Sequence, residues 1–219
     1  METELSQRTR IKICGITCTT DGVAAAEAGA DAIGFVFHPA SPRAVAAEAA
    51  LQVARELPPL VTVVGLFVDA AAADVRRILA AVPLGLLQFH GDEPDDYCRQ
   101  FGIPYLKAVR VRPTTDLLQY AASHAGAGGL LLDAYRAGVP GGTGEVFDWG
   151  LIPEQLPCRV VLSGGLNANN VAAGVTQVRP WAVDVSSGVE SAPGIKDREL
   201  IRQFIRAVRR ADAGQPTAE

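Results

Sequence analysis

Eight short apolar runs recur along this chain at intervals of about 25 residues, most of them followed by a stretch with helical spacing. This alternation narrows the choice of fold more than any other feature. The runs occupy residues 11–16, 32–37, 61–68, 84–88, 105–111, 129–132, 159–162 and 182–185. Most are apolar at both odd and even positions, whereas a strand with one wet face is apolar only at alternate ones. They therefore read as parallel strands covered on both sides. Helical spacing occupies 21–28, 45–57, 72–81, 94–100, 116–123, 167–174 and 197–211. Glycine or proline stops most of these: Gly29, Pro58-Pro59, Pro83 and Gly102. Asn167 is a cap candidate, and Asp197 suits the positive end of the last helix. After the sixth run the pattern changes to a glycine-rich segment, 138–144, with room for only a short turn at 148–152.

Eight strands joined by crossovers predict an α/β fold, a (βα)8 TIM barrel, in which the helix after strand 5 or 6 is short or replaced by loop. The competitor is an open doubly wound sheet. That fold would want Gly-x-Gly-x-x-Gly after its first strand, where Cys14-Gly15-Ile16-Thr17 stands instead. With no linker or low-complexity segment, residues 1–219 read as a single domain, with 1–10 and 214–219 as frayed tails.

Composition excludes several classes of partner. Net charge is -4 without a basic run, which argues against nucleic acid. No apolar stretch approaches the ~18 residues that would span a bilayer. The acidic opening Met1-Glu2-Thr3-Glu4 is unlike a secretory signal, so a cytoplasmic location is expected. The four cysteines form no Cys-x-x-Cys pair. Cys14 and Cys18 have no nearby His or second pair to complete a zinc site, so no metal is expected. Monomer and homodimer both stay open.

Barrel chemistry gathers where strands end, and here apolar strands end in Cys14, His90, Asp133, Ser163 and Ser186. Ser163-Gly164-Gly165 and Ser186-Ser187-Gly188 follow strands seven and eight, between which barrels often hold a phosphate. Backbone N–H groups of Gly164, Gly165, Ser186, Ser187 and Gly188 would cradle it, with Gly142 closing from the sixth loop. Each loop taken alone would serve equally as a tight turn. Cys14 shares a strand face with Lys12, whose ammonium would favour the thiolate and make a base near neutral pH; a packed core cysteine is the plainer reading. Partial burial of Asp133 would favour the protonated form that a general acid needs. Asp184, deep in its strand, must find a partner such as Lys12, an arginine or a ligand amine. Arg43 is placed to grip a carboxylate, and His90 to line the pocket. A donor, an acceptor and a phosphate cradle would suffice for a cofactor-free isomerisation of a small phosphosugar.

The motifs also carry a resemblance. Lys-Ile-Cys-Gly-Ile (12–16), Gly-Phe-Val-Phe (34–37), Ser-Pro-Arg (41–43), Gln-Phe-His-Gly (88–91) and Leu-Leu-Asp (131–133) come first. Then follow Gly-Gly-Thr-Gly (141–144), Phe-Asp-Trp (147–149), Ser-Gly-Gly-Leu (163–166), Val-Asp-Val-Ser-Ser-Gly-Val-Glu (183–190) and Gly-Ile-Lys-Asp (194–197). Together and in this order they resemble the phosphoribosylanthranilate isomerase family. Phe89, where Leu is usual, and Ser163, where Ala is frequent, are mild departures. The resemblance implies an Amadori rearrangement in tryptophan biosynthesis. Asp133 would be the acid that opens the ribose ring and Cys14 the base that removes the proton from carbon 2. Arg43 would bind the anthranilate carboxylate, with His90 and Asp184 holding that moiety. Other phosphosugar barrels fit less well. The histidine-pathway isomerase would be expected to end strand one in Asp, and a pentose-phosphate epimerase would be expected to show a His/Asp metal site. A non-catalytic barrel that binds a phosphorylated ligand leaves the Cys14–Asp133 pairing as coincidence.

Overall fold

The computed structural model describes residues 8–134 and 147–214. The apolar runs become β1 (Arg10–Cys14), β2 (Ala32–Val36), β3 (Thr62–Phe67) and β4 (Leu86–Phe89), then β5 (Tyr105–Val111), β6 (Gly129–Ala134), β7 (Val160–Leu162) and β8 (Ala182–Val185). They pair in parallel in chain order, and β8 closes on β1 with Lys12 opposite Asp184. Outside lie α1 (Thr19–Ala28), α2 (Ala47–Glu56), α3 (Ala72–Ala81), α4 (Asp95–Arg99), α5 (Leu117–Ser123), α6 (Val171–Val178) and α7 (Arg198–Asp212). Between β6 and β7 the helical element among the described residues is one 3-10 turn, Trp149–Leu151.

Closure explains why the strands are apolar on both faces. Outward-facing Ile11, Ile13, Ile33, Phe35, Leu87, Phe89 and Val183 pack beneath helix residues such as Ala25, Val53, Val75 and Phe204. Inward-facing Leu106, Ala108, Leu131, Val161 and Ala182 fill part of the barrel, while Cys14, Val36 and Leu66 form a separate small cluster. Each large side chain so buried contributes about 1.5–3 kcal/mol. The last helix, α7, buries Ile201, Phe204, Ile205 and Val208 along one face. Its cap is Asp197, whose carboxylate accepts from the N–H groups of Glu199 and Leu200 at 2.8 and 3.0 Å.

Local departures from the sequence reading have local causes. β1 stops at Cys14 because Gly15 turns to φ 75, and the N–H groups of Gly15 and Ile16 both donate to the Gly34 carbonyl. α6 starts at Val171 rather than 167 because Asn167 is used in an Asx turn: its side chain accepts from Asn169 N–H, while its own N–H donates to Asn170 Oδ1. The expected frayed tail of residues 1–10 reaches too far. Arg8 pairs with Asp31, Thr9 binds Asp212 through backbone and hydroxyl, and Arg10 opens β1. Gly214, at φ 65, closes α7 by donating to Ala211. After β8 comes an unforeseen hairpin, β9 (Glu190–Ala192) with β10 (Ile195–Lys196). Among the described residues no helix is long and apolar enough to cross a membrane.

Candidate active site

At the end of β1, Lys12 and Cys14 share the inner face. The missing side chain of Gly34 makes room for both: a Cβ there would come within 2.9 Å of Cys14 Sγ and 3.1 Å of Lys12 Nζ. Lys12 Nζ donates to Asp184 Oδ1 at 2.8 Å, and Ser163 Oγ donates to Asp184 Oδ2 at 3.3 Å. Cys14, Lys12 and Asp184 are each 4% exposed, so the ion pair is a buried one whose loss would strand a charge. Burial opposes the charge on Lys12, but Asp184 and Cys14 outweigh it and hold the ammonium above its ordinary range. For Cys14 the balance falls the other way. Burial pushes the thiol up, Lys12 and Lys196 pull it down, and the net position is above the ordinary value. The ammonium foreseen in the sequence is beside the thiol, yet burial outweighs it.

Asp133 stands one residue before the end of β6 and is 6% exposed. His90 Nε2 lies 3.2 Å from its Oδ2, and Gln88 Nε2 lies 3.2 Å from His90 Nδ1. The seventh loop presses on the same carboxyl. A Cβ on Gly164 would run into the backbone nitrogen of Ala134 and come 2.7 Å from Asp133 Oδ1. Gly164 also adopts φ 82, so glycine is required there twice over.

Arg43 reaches the mouth from the loop after β2, its side chain lying across Gly15. Its Nε and Nη2 donate to the two oxygens of Glu190 at 2.8 and 2.7 Å, and Lys196 Nζ donates to Glu190 Oε1 at 2.7 Å. The carboxylate that Arg43 grips in this structure is therefore Glu190, on the unforeseen hairpin. Burial would raise the Glu190 carboxyl, but two cations share it and hold it below its ordinary range. Lys196 has only half of that carboxylate, so burial prevails and its ammonium lies below the ordinary range. Neither residue was singled out from sequence, although both lie in motifs that carry the resemblance.

Loops seven and eight lock together, because a Cβ on Gly188 would strike the carbonyl of Leu166. Ser186 accepts from Lys196 through its carbonyl at 3.1 Å and its hydroxyl at 3.4 Å. Ser187 opens a 3-10 turn, Ser187–Val189, soon after β8. Ser163 turns its hydroxyl to Asp184, away from the cradle role given to its loop. Gly142 and the rest of 141–144 lie outside the described residues. Around the mouth, then, Cys14, Asp184 with Ser163, Gly164, Asp133 and His90 follow one another along β1, β8, β7, β6 and β4. Such an arrangement offers a thiol and a carboxyl at separate points of one rim. Among the described residues no group of three or more His, Cys, Asp or Glu could hold a metal ion.

The family described as N-(5'phosphoribosyl)anthranilate (PRA) isomerase matches residues 11–207. The N-(5'-phosphoribosyl)anthranilate isomerase of Thiobacillus denitrificans is 62% identical over 196 residues, covering 90% of this chain and 96% of that protein. A crystal structure of phosphoribosyl anthranilate isomerase in complex with reduced 1-(o-carboxyphenylamino)-1-deoxyribulose 5-phosphate superposes with TM-score 0.81 at 40% identity, covering 92% of this chain and 98% of that one. Mutually generated monomers of the dimeric enzyme from Thermotoga maritima superpose with TM-score 0.79 at 40% identity and the same coverage.

Proposed function

The chain belongs to the N-(5'-phosphoribosyl)anthranilate isomerase family, and we propose that Asp133 and Cys14 divide its chemistry as general acid and general base. It catalyses the conversion of N-(5-phosphoribosyl)anthranilate to 1-(o-carboxyphenylamino)-1-deoxyribulose 5-phosphate in tryptophan biosynthesis, an aldose-to-ketose Amadori rearrangement.

Asp133 gives a proton to the furanose oxygen. The C1–O bond breaks as the nitrogen lone pair forms the C1–N double bond, leaving a cationic Schiff base. Cys14, as thiolate, takes the proton from carbon 2, and that electron pair flows to nitrogen to give an enolamine. Protonation at carbon 1 and loss of the carbon 2 hydroxyl proton to solvent then yield the ketone. The aromatic amine is both electron source and electron sink, so the route needs no cofactor. Burial disfavours the thiolate before substrate arrives, but the Schiff-base cation formed in the first step favours it when it is needed, the thiol proton leaving to solvent. Each acid or base group is worth ~10²–10⁴-fold in rate.

The observation that carries this reading is the location of the two groups: both are buried at strand ends on one barrel rim, well apart along it. The phosphate is assigned to the backbone of Gly164, Gly165, Ser186, Ser187 and Gly188, with Gly142 added by resemblance. Arg43 offers the anthranilate carboxylate the guanidinium edge that Glu190 does not occupy. His90 and Asp184 help hold the anthranilate moiety. A cytoplasmic enzyme acting on a small phosphosugar, as monomer or homodimer, completes the proposal. The test is to generate the substrate in place and follow loss of its fluorescence with Cys14→Ala and Asp133→Asn. Turnover should fall by ~10²–10⁴-fold in each; near-wild-type turnover in both would defeat the acid–base assignment.

A further inference from the structure

Two buried side-chain polar atoms lack a hydrogen-bond partner among the described residues, and one of them is Gln88 Oε1. Gln88 is fully buried on β4, two residues before His90, so both side chains point to the barrel interior. An orphan buried carbonyl is costly and calls for a reason. Turning the amide by half a turn would exchange its oxygen and nitrogen in nearly the same space, so shape alone does not choose the orientation.

The structure takes one of the two orientations. With the amide N–H facing His90 Nδ1, that nitrogen must accept, and a neutral ring then carries its proton on Nε2. Nε2–H in turn donates to Asp133 Oδ2. In the turned orientation Nδ1 would hold the proton, and Nε2 could only accept, from an Oδ2 that itself carried the acid's proton. Other charges near His90 do not replace this control. Arg110 from β5 reaches only the His90 backbone carbonyl, at 3.4 Å, while Glu93 and Lys107 behind Gly91 pair with each other at 3.0 Å.

We propose that Gln88 is a positioning residue: its buried amide fixes the Nε2–H tautomer of His90, so that His90 donates to Asp133 and stabilises the carboxylate left when the ring-opening proton departs. The two carboxyl oxygens then have separate duties. Oδ2 receives the imidazole N–H, which leaves Oδ1, against which the Gly164 backbone packs, to carry the proton that is transferred. The proposal rests on Asp133 being the acid, but its first readout does not.

The chain has three histidines, so the ring nitrogens of His90 are separable by 15N NMR. Wild type should show Nε2–H. Gln88→Leu removes the donor and should leave a mixture of tautomers. It should also lower kcat by roughly tenfold, less than loss of the acid itself, with little change in KM, and move the limb of the pH profile that reports the acid to higher pH. Gln88→Met fills nearly the same volume and serves if the leucine variant folds poorly. An Nδ1–H tautomer in wild type, or an unchanged tautomer in both variants, overturns the proposal. A changed tautomer with unaltered kcat and pH profile removes its catalytic half. Failure of the acid assignment would show separately, as turnover retained by Asp133→Asn.

Discussion

The two sides of the barrel mouth are built from different materials. Around Cys14 the structure collects charge: Lys12 with Asp184, and Arg43 and Lys196 with Glu190. Around Asp133 it uses an imidazole, a buried amide and a glycine, and among the described residues the ion-pair partner of Asp133 is His90. The contrast follows from what each group must do. A base needs its anionic form within reach, and nearby cations offset part of the cost of burial. An acid must keep its proton until substrate takes it, and an abutting Lys or Arg would remove it too soon.

Breaking the charged side should have the largest effect. Lys12→Met strands the Asp184 carboxylate in the interior and should cost ~3–5 kcal/mol of stability, read by denaturant melting. In the folded variant the Cys14 thiol should titrate higher than in wild type, because burial remains and the ammonium is gone. A thiol that titrates lower, or a stability change within error, would mean that Lys12 does not set the field at Cys14.

Glu190→Gln tests the outer half of the same side. Arg43 would keep a neutral partner but lose a charged one. A hydrogen bond to a charged group is worth about 1.5–3 kcal/mol, so KM should rise by roughly tenfold with a smaller change in kcat. A pH signature accompanies it. The folded-state Glu190 carboxyl lies below its ordinary value, so its contribution to stability is present above that value and is lost as pH falls through the folded one. Wild type should therefore lose more stability than Glu190→Gln on acidification through that window. Parallel acid profiles would show that the pairing adds nothing.

The smallest expected effect is a control remote from both sides. Asp197→Ala removes the two cap bonds of α7 and should cost ~1 kcal/mol without altering kcat or the pH profile. A change in either would mean that the mouth senses helix packing, and the contrast between its two sides would need redrawing.

Much of the site was legible because strand ends are local features. Cys14, His90 and Asp133 each close an apolar run, and the barrel rule gathers such ends at one mouth. Gln88 carries no such signal: it lies inside an apolar run, and only its i, i+2 spacing to His90 puts both on one face. Glu190 and Lys196 were harder to see. Arg43 and Glu190 are 147 residues apart, and a hairpin two strands deep leaves little periodic trace. The late start of α6 was missed because Asn167 reads equally as a helix cap and as an Asx turn.

The order of strands, their burial on both faces and the residues presented at their ends follow from the chain itself, since periodicity and turn chemistry act over a few residues. Which charges meet was settled only when β8 closed on β1. That closure brings Lys12 to Asp184 across 172 residues and leaves Cys14 buried enough for desolvation to outweigh the cation beside it. Desolvation and Coulomb energies depend on distance and depth in three dimensions, which no spacing along the chain encodes.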